Sequence, residues 1–520
     1  MAPVEEVSLS ELVACLALAT DLGMGQPLEQ ALRTCMLAIR VGESLGLGSE
    51  ELAETYYICL LRFVGCNAHA HQDGLEVGDE IAFRAGVAPV LNGRTPEMLR
   101  FMVTKTGQHS PLPARAKMVG SALMAGSKGA RDQIAATCEV ARMIALRLGM
   151  TPGVATGLDY TFEHHDGTGY PKGAAGDEIP VSAHVVMVAR DFEVLNRLGG
   201  REMVLEVARK RRGSAYAPRV VDAFMSHAWE VLDADSETGW DAVTSAEPSR
   251  RVLTGSRFKQ ALECLADFSD IKSPYTHGYS RSVSDLVTTA AGIAGMDDGK
   301  KAVLGAAALV QELGMTAVPS TVLDKPGRLT ESEWERMRLH PYFTERILMR
   351  CAGLAPSGSL AGAHHERMDG SGYHRGSVAA QIPAPARLLS AAGCYVAMTS
   401  ERSWRDAMPP VRAAKELREL AASGQLDAAA ADAVLMAAGE PVQPRRRAWP
   451  AGLTDREVQV LQLVSRGRSN RQMAEDLVIS AKTVGRHVEN IYAKAGVSTR
   501  AGATMFALQN GLAGPAEGPS

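Results

Sequence analysis

An internal repeat limits the folds that are open to this chain. Residues 166–180 (DGTGYPKGAAGDEIP) and 369–383 (DGSGYHRGSVAAQIP) match at seven of fifteen positions without a gap, at an offset of 203 residues. Both segments precede an apolar run, and both follow amphipathic patterns with a period typical of helices. Two diverged copies of one helical unit explain this match. We therefore predict an all-α fold built on two tandem helical bundles.

The length of the chain leaves room for more than the two copies. At roughly 150 residues per domain, 520 residues predict three to four folding units. The segment EPVQPRRRAWPAG has three prolines and three consecutive arginines, which is typical of a linker with a basic end. We predict a first repeat over 8–240, a second over 252–440, a linker over 441–452 and a small C-terminal domain over 453–512. The first repeat also contains an insertion around residues 85–130.

Charge and composition exclude several classes of protein. The net charge of −4 excludes a general polycation, so any nucleic-acid site must be local. No stretch reaches the roughly 18 apolar residues that a membrane span needs, and the N-terminus lacks the basic flank of a secretory signal. The eight cysteines form no C-x-x-C pair, which favours free thiols in a reducing compartment. We expect a cytoplasmic protein without membrane contact.

The C-terminal segment has the signals of three short helices and a recognition surface. Capping boxes at 454–457 (TDRE) and 469–472 (SNRQ) start the first two helices, and Ser480 starts a third that ends at Gly496. In the third helix Val484, Val488 and Ile491 form an apolar stripe. The opposite face carries cations and hydrogen-bond donors on a helix about 21 Å long, which fits a major groove.

Residues 453–503, with T-x-R-E, S-N-x-x-[IM]-A and K-T-V-x-x-H, closely resemble the LuxR-type helix-turn-helix. The resemblance implies binding to double-stranded DNA, with lysines on phosphates and Thr483, Arg486 and Asn490 on base edges. The last helix of that family pairs two subunits, so we expect a homodimer through Ala501, Thr504, Met505 and Leu508; packing within the domain is the alternative. The predicted DNA-contacting residues are Lys482, Thr483, Val484, Arg486, His487, Asn490 and Lys494.

The repeated unit carries motifs of a known phosphohydrolase family. HHERMDGSGY at 364–373, preceded by 323–348, resembles the HD-GYP subfamily of HD-domain phosphohydrolases. The resemblance implies two HD-domain-like helical bundles. Family members hydrolyse cyclic di-GMP with two or three divalent metals, usually iron or manganese, held by histidines and carboxylates. We therefore compared each ligand position of the family with this sequence.

The second copy has lost part of that ligand set. Tyr279 takes the place of the first histidine, Gln311-Glu312 replace the His-Asp pair, and Gly393 replaces the closing aspartate. Met315 and His374 replace the family's lysine and the proline of the GYP motif. We expect no cofactor; the alternative is a single divalent transition metal in the second repeat. The vestigial ligand set consists of Glu312, His340, His364 and His365.

The first copy retains no family ligand. Gln30, Arg62-Phe63, Thr161-Phe162 and Arg190 stand at the ligand positions. His164 and His165 lie outside the ligand register, so we expect them on the surface or in a loop. For the two arginines we expect salt bridges with the protein's own acids rather than an anionic ligand.

Three functions agree with these patterns. The leading hypothesis is a transcriptional regulator whose HD-GYP-like region senses a ligand or partner, such as a cyclic dinucleotide or a signalling protein, and controls DNA binding. It assigns no catalytic residues. The alternative is a metal-dependent phosphohydrolase of the cyclic di-GMP phosphodiesterase type fused to a DNA-binding domain. The third is an interaction scaffold that binds another signalling protein.

Overall fold

The structure, a computed structural model, describes residues 6–91, 95–107, 112–229, 232, 239–442 and 449–512. It confirms the predicted all-α class, apart from one small sheet. Among the described residues, no helix combines the length and apolar character that crossing a membrane requires. The chain forms two compact units, 1–441 and 442–520. Half of the predicted linker, residues 443–448, lies outside the described residues.

The first repeat is a layered bundle in which α2 and α3 pack on each other and on the long helix α9. Non-helical backbone at Gly126 kinks α7, and Gly199 and Gly200 kink α9. The described helices are α1 (Leu9–Gly23), α2 (Gln30–Ser44), α3 (Ser49–Leu61), α4 (Ala70–Val77), α5 (Glu80–Val87), α6 (Thr95–Lys105), α7 (Leu112–Arg147), α8 (Pro152–Leu158), α9 (Val181–Arg211), α10 (Pro218–His227) and α11 (Gly239–Ser245).

The second repeat follows the same order with shorter connections. Its apolar centre is formed mainly by α13, α14 and α19, whose inward faces are Val, Leu and Ala. The helices are α12 (Gly255–Asp270), α13 (Tyr279–Ile293), α14 (Asp298–Val310), α15 (Ser320–Leu323), α16 (Glu331–Arg338), α17 (His340–Leu348), α18 (Ala355–Ala361), α19 (Ala384–Thr399), α20 (Pro410–Ala422) and α21 (Ala428–Ala437).

The repeats are joined at equivalent points by the only strands among the described residues. Strand β1 (Glu6–Ser8) precedes α1, and strand β2 (Val252–Thr254) precedes α12. They pair antiparallel, with Val7 opposite Leu253. Each copy therefore enters its first helix from one shared two-stranded sheet.

The GYP-like loops have the same structure in both copies. Asp166 bridges to Ala175, and Asp369 bridges to Val378, again at an offset of 203 residues. In each loop a buried glutamate accepts hydrogen bonds from several backbone amides of the loop; these glutamates are Glu163 and Glu366.

Close packing explains the retained glycines of these loops. A Cβ atom on Gly169 or Gly372 would overlap the backbone of the preceding turn. Of the two positions expected for His164, surface or loop, the structure shows the loop: it lies in this turn and is only 2% exposed, because the loop folds over it. His165, beside it, is partly buried.

Polar groups are buried where the two repeats meet. Lys272, at the end of α12, is fully buried and donates a hydrogen bond of 2.8 Å to the carbonyl oxygen of Thr316. Its Nζ lies 3.5 Å from Oε1 of Glu80, on α5 of the first repeat. The same carboxylate accepts the backbone N–H of Ser320 at 2.9 Å. A carboxylate from one copy thus caps a helix of the other copy.

The C-terminal unit has the predicted helices α22 (Asp455–Ser465), α23 (Asn470–Asp476) and α24 (Ala481–Ala495), followed by α25 (Arg500–Gln509). Thr454 with Glu457 and Ser469 with Gln472 form the two capping boxes. Gly496 ends α24 in the left-handed conformation, with a φ of 67°. The core is formed by Val460, Leu461, Met473, Val484, Ile491, Ala503 and Ala507.

Candidate metal centre and nucleic-acid interface

Four predicted residues of the second repeat converge on one point. Glu312 follows α14, His340 begins α17, and His364 with His365 lies in the turn after α18. Each offers one potential ligand atom, and these atoms all lie within 4.8 Å of one another. Three of the residues are buried and His365 is partly buried. Side chains from three separate segments therefore form one compact cluster.

Backbone carbonyls fix the orientation of two of the rings. Nδ1 of His340 lies 2.7 Å from the carbonyl oxygen of Met337, and Nδ1 of His364 lies 2.6 Å from that of Ala361. Because a carbonyl oxygen only accepts, each Nδ1 must donate, and in a neutral ring Nε2 then carries a lone pair.

The two Nε2 atoms lie 3.2 Å apart. The Glu312 carboxylate lies 3.5 Å from Nε2 of His364 and 3.8 Å from Nε2 of His340. Two lone pairs and a carboxylate at this separation need positive charge between them, either a proton on one ring or a cation.

The pKa shifts of His340, His365 and Glu312 agree with the protonation states that a metal requires. Burial lowers the pKa of His340 to about 4 and that of His365 well below its usual value. Burial would raise the pKa of Glu312, but contact with His364 and His340 and the positive charge of Arg402 outweigh it and lower the pKa to about 2. Neutral imidazoles and an ionised carboxylate are the forms that bind divalent ions.

Two of the replaced ligand positions contact each other. The Tyr279 hydroxyl donates a hydrogen bond of 3.2 Å to the carbonyl oxygen of Gly393. A Cβ atom on Gly393 would lie 3.4 Å from that hydroxyl, so a larger side chain there would press on the phenol. The tyrosine thus fills space beside the glycine that replaces the family's closing aspartate.

Sequence reasoning missed three residues beside the cluster. Tyr373 stacks on His365 with ring centroids 4.6 Å apart, and Trp334, which is 40% exposed, contacts Tyr373 from outside. Arg402 lies over the ring of Tyr279 at 5.0 Å. The tyrosine shared by DGTGY and DGSGY was a usable signal, whereas no sequence pattern marked Arg402.

A surface pocket of about 410 Å³ has Tyr279 in its lining. The lining mixes aromatic and polar groups: Pro274, Tyr275, His277, Tyr279, Ser282, Ser400 and Glu401. Tyr279 therefore contacts both Gly393 and this pocket.

In the first repeat, the expectation of salt bridges is right for one arginine and wrong for the other. Arg190 donates to Asp191 at 2.9 Å. Arg62 is only 6% exposed, and its Nε and Nη1 form no hydrogen bond with any described residue. Its guanidinium instead lies 5.1 Å and 4.9 Å from the ring centroids of Phe63 and Phe162. No carboxylate reaches these two nitrogens, because Asp191 is bound to other partners.

On the predicted recognition helix α24, the outward residues Lys482, Thr483, Arg486 and Asn490 are exposed, and His487 is half-buried. The prediction that Val484 contacts DNA is wrong, because its side chain is fully buried in the core of the C-terminal unit.

One further predicted DNA contact, Lys494, has a competing partner within the protein, and the predicted dimer face on α25 is not tested by the structure. The ammonium of Lys494 lies 2.7 Å from the buried carboxylate of Glu457, which competes with the predicted phosphate contact. On α25, Met505 and Leu508 are 55% and 60% exposed, while Ala503 and Ala507 pack inward. The homodimer stays a prediction.

Comparisons with known proteins agree on the two kinds of domain. The model of the HD domain matches residues 127–212 and 263–430, and that of "Bacterial regulatory proteins, luxR family" matches 451–507. The chain is 29% identical over 413 residues to 3'3'-cGAMP-specific phosphodiesterase 3 of Vibrio cholerae serotype O1, covering 77% of this chain and 88% of that protein.

Two further similarities are narrower or structural. A cyclic di-GMP phosphodiesterase of Thermotoga maritima is 33% identical over 169 residues, which cover 32% of this chain and only 45% of that protein. A crystal structure of a cyclic GMP-AMP specific phosphodiesterase of V. cholerae aligns with a TM-score of 0.57 at 25% identity, covering 84% of this chain and 99% of that one.

Proposed function

This chain is an HD-domain protein with a C-terminal regulatory domain of the luxR family. On that premise we propose that it is a metal-dependent phosphodiesterase that hydrolyses a cyclic dinucleotide. We propose that it also binds DNA. This was the alternative in the sequence analysis. It becomes the leading one because relatives named as cyclic-dinucleotide phosphodiesterases match the repeats and because the second repeat keeps a compact ligand cluster.

The observation that carries the proposal is the pair of Nε2 atoms, 3.2 Å apart, aimed at each other and at Glu312. Hydrogen bonds from the far side of each ring orient ligating histidines in metal sites in the same way. The side-chain amide of Gln311, next to Glu312, is buried and forms no hydrogen bond with the described residues. These groups fit one divalent transition metal held by Glu312, His340, His364 and His365.

When bound there, a divalent ion would supply Lewis acidity toward a phosphoryl oxygen of the substrate. The residues of this chain supply the other requirements. Backbone carbonyls hold two imidazoles in one tautomer, and the ionised Glu312 adds the negative charge that retains a cation. Tyr279 occupies space beside Gly393, so we propose a one-ion site.

The surroundings of the cluster fit an anionic, planar substrate. Arg402 is close enough to Glu312 to lower the pKa of that carboxyl, and a guanidinium so placed attracts a phosphodiester. Trp334, which is 40% exposed and has the Arg338 guanidinium over its ring at 5.7 Å, lies at the end of the row formed by Tyr373 and His365. Aromatic faces of this kind stack nucleobases.

The test is hydrolysis of 3'3'-cGAMP and of cyclic di-GMP by the full chain, with the metal content measured on the same sample. His364→Ala should remove both the ion and the hydrolysis. His165→Ala, in the equivalent loop of the first repeat, is the matched control and should retain both. A wild-type chain that carries a divalent ion but leaves both dinucleotides intact would contradict the proposal.

The second part of the proposal, DNA binding, is supported by the exposed donors on α24. Lys482, Thr483, Arg486 and Asn490 share one face, which suits a major groove. We propose that ligand occupancy in the repeats controls this binding. The test is selection of bound sequences from random duplexes, followed by titration at several salt concentrations with and without 3'3'-cGAMP. Affinity that is independent of salt, or absent for every duplex, would contradict it.

A further inference from the structure

We propose that the first repeat binds the phosphate group of an anionic ligand at Arg62 and Arg190, in the place that corresponds to the metal cluster of the second repeat, and that it does so without hydrolysis. This inference goes beyond the proposed function and does not depend on catalysis by the second repeat.

Close contacts show that the two places correspond. A Cβ atom on Gly65 would overlap the carbonyl oxygen of Thr137, just as one on Gly314 would overlap that of His340. The 3-10 turns that contain these glycines begin directly after Phe63 and Glu312, respectively. Phe63 therefore stands where Glu312 stands in the second repeat, and Arg62 stands where Gln311 stands.

Arg62 is a buried cation with unused donors. Its Nε and Nη1 are buried and form no hydrogen bond with the described residues, while Phe63 and Phe162 cover its guanidinium at about 5 Å. A buried donor without a partner costs free energy, and more when the group is charged. An oxyanion placed against these two nitrogens would supply the acceptors, and a guanidinium fork matches a phosphate in two hydrogen bonds.

The nearby carboxylate is already occupied. Asp191 accepts hydrogen bonds from Arg190 at 2.9 Å and from the Tyr216 hydroxyl at 2.8 Å, and Arg211 lies 3.7 Å away. The guanidinium groups of Arg190 and Arg211 thus flank this aspartate, Arg62 adds a third positive charge near it, and Glu97 lies 3.6 Å from Arg211. Positive charge remains in excess around Arg62, which favours an anion there.

The cluster reaches the surface and lacks the groups for hydrolysis. Phe63 and Arg190 are only partly buried, so the cluster lies beside the surface, and a ligand that reaches Nε and Nη1 of Arg62 must displace the side chains that bury them. Thr137, Thr161 and Phe162 stand where the second repeat has its histidines, so no imidazole is available as a base or ligand at these positions. Arg62 supplies the positive charge that an ion would supply in the second repeat, but it cannot activate water in the way an ion does.

The test is equilibrium dialysis of the full chain after treatment with a chelator, with labelled 3'3'-cGAMP in one arm and labelled inorganic phosphate in the other. Arg62→Met should lower the affinity of the bound probe by about 30-fold or more, since it removes two charge-assisted hydrogen bonds. Arg212→Met, at an exposed ion pair with Asp222 in the same repeat, should change it less than about twofold.

Arg62→Lys is the variant that controls for a folding defect, because it retains the positive charge but loses the two parallel N–H donors of the guanidinium. It should bind the probe about tenfold more weakly than wild type. Binding of 3'3'-cGAMP that depends on Arg62 would identify a nucleotide phosphodiester as the source of the phosphate. Binding of inorganic phosphate alone, with the same dependence, would identify free phosphate. Absence of any binding that depends on Arg62, or equal binding by the Arg62→Lys variant, would overturn the proposal and leave Arg62 a structural residue.

Discussion

Lys272 provides a quantitative test of how the two repeats are held together. Its ammonium is fully buried between the carboxylate of Glu80 at 3.5 Å and a backbone carbonyl oxygen at 2.8 Å. Burial lowers its pKa from 10.5 to about 8, although Glu80 partly opposes this shift. The unfolded chain therefore binds more protons than the folded chain between these two pKa values, so stability must rise with pH across that window.

The magnitude follows from the size of the shift. Below pH 8 Lys272 is protonated in both states, and the folded state carries the full free-energy cost of burying a charged ammonium. That cost disappears as the pH approaches 10.5, because the buried amine is then neutral. Integrating the proton difference from pH 7 to pH 10 gives about 2.5 kcal/mol of added stability. Lys272→Met removes the titrating group, so the difference in unfolding free energy between wild type and this variant should increase by that amount over the same range.

The assay is denaturant unfolding of the full chain at a series of pH values. Lys259→Met is the control, because Lys259 lies on α12, the helix that precedes Lys272, with its side chain 72% exposed. That control should show the pH dependence of wild type. A constant difference between wild type and Lys272→Met from pH 7 to pH 10 would refute the assignment of a depressed pKa to this ammonium.

Three further predictions concern the sites. Lys482→Met should weaken binding to all duplexes and reduce the slope of log affinity against log salt concentration by about one. Arg486→Ala should instead relax the sequence preference at one base pair by about 1–3 kcal/mol. Selection of bound sequences, read by deep sequencing, separates the two effects. Tyr279→His combined with Gly393→Asp should raise the metal content from one ion to two, while Gly393→Asp alone should not, because the phenol lies 3.4 Å from the added Cβ atom; elemental analysis of purified protein decides this. Gly372→Ala should disrupt the turn that carries the histidines and lower metal occupancy, as the new Cβ atom overlaps backbone; near-ultraviolet circular dichroism and metal content measure both effects.

The sequence was sufficient wherever the determinants are local. The capping boxes at Thr454 and Ser469, the glycine end of α24 and the two GYP-like loops depend on residues a few positions apart. Glu312 and the three histidines around it were also predicted as a set, because the family motif fixes their order along the chain.

Residues whose environment depends on distant segments were not predictable. Arg62 was expected to form a salt bridge, but its surroundings are set by Phe162, a hundred positions away, and by an aspartate that is already occupied. Nothing periodic marked Lys272 and Glu80 as partners, since they lie in different copies. Val484 was assigned to DNA because it belongs to the family motif, whereas its place in the helical stripe put it in the core.

The most direct test of the central claim is elemental analysis of the full chain combined with single-turnover hydrolysis of 3'3'-cGAMP on the same preparation. We expect one divalent transition metal ion per chain, and hydrolysis that rises in proportion to occupancy as the ion is restored after chelation. A chain that binds no ion, or that binds one fully and still leaves the dinucleotide intact, would contradict it.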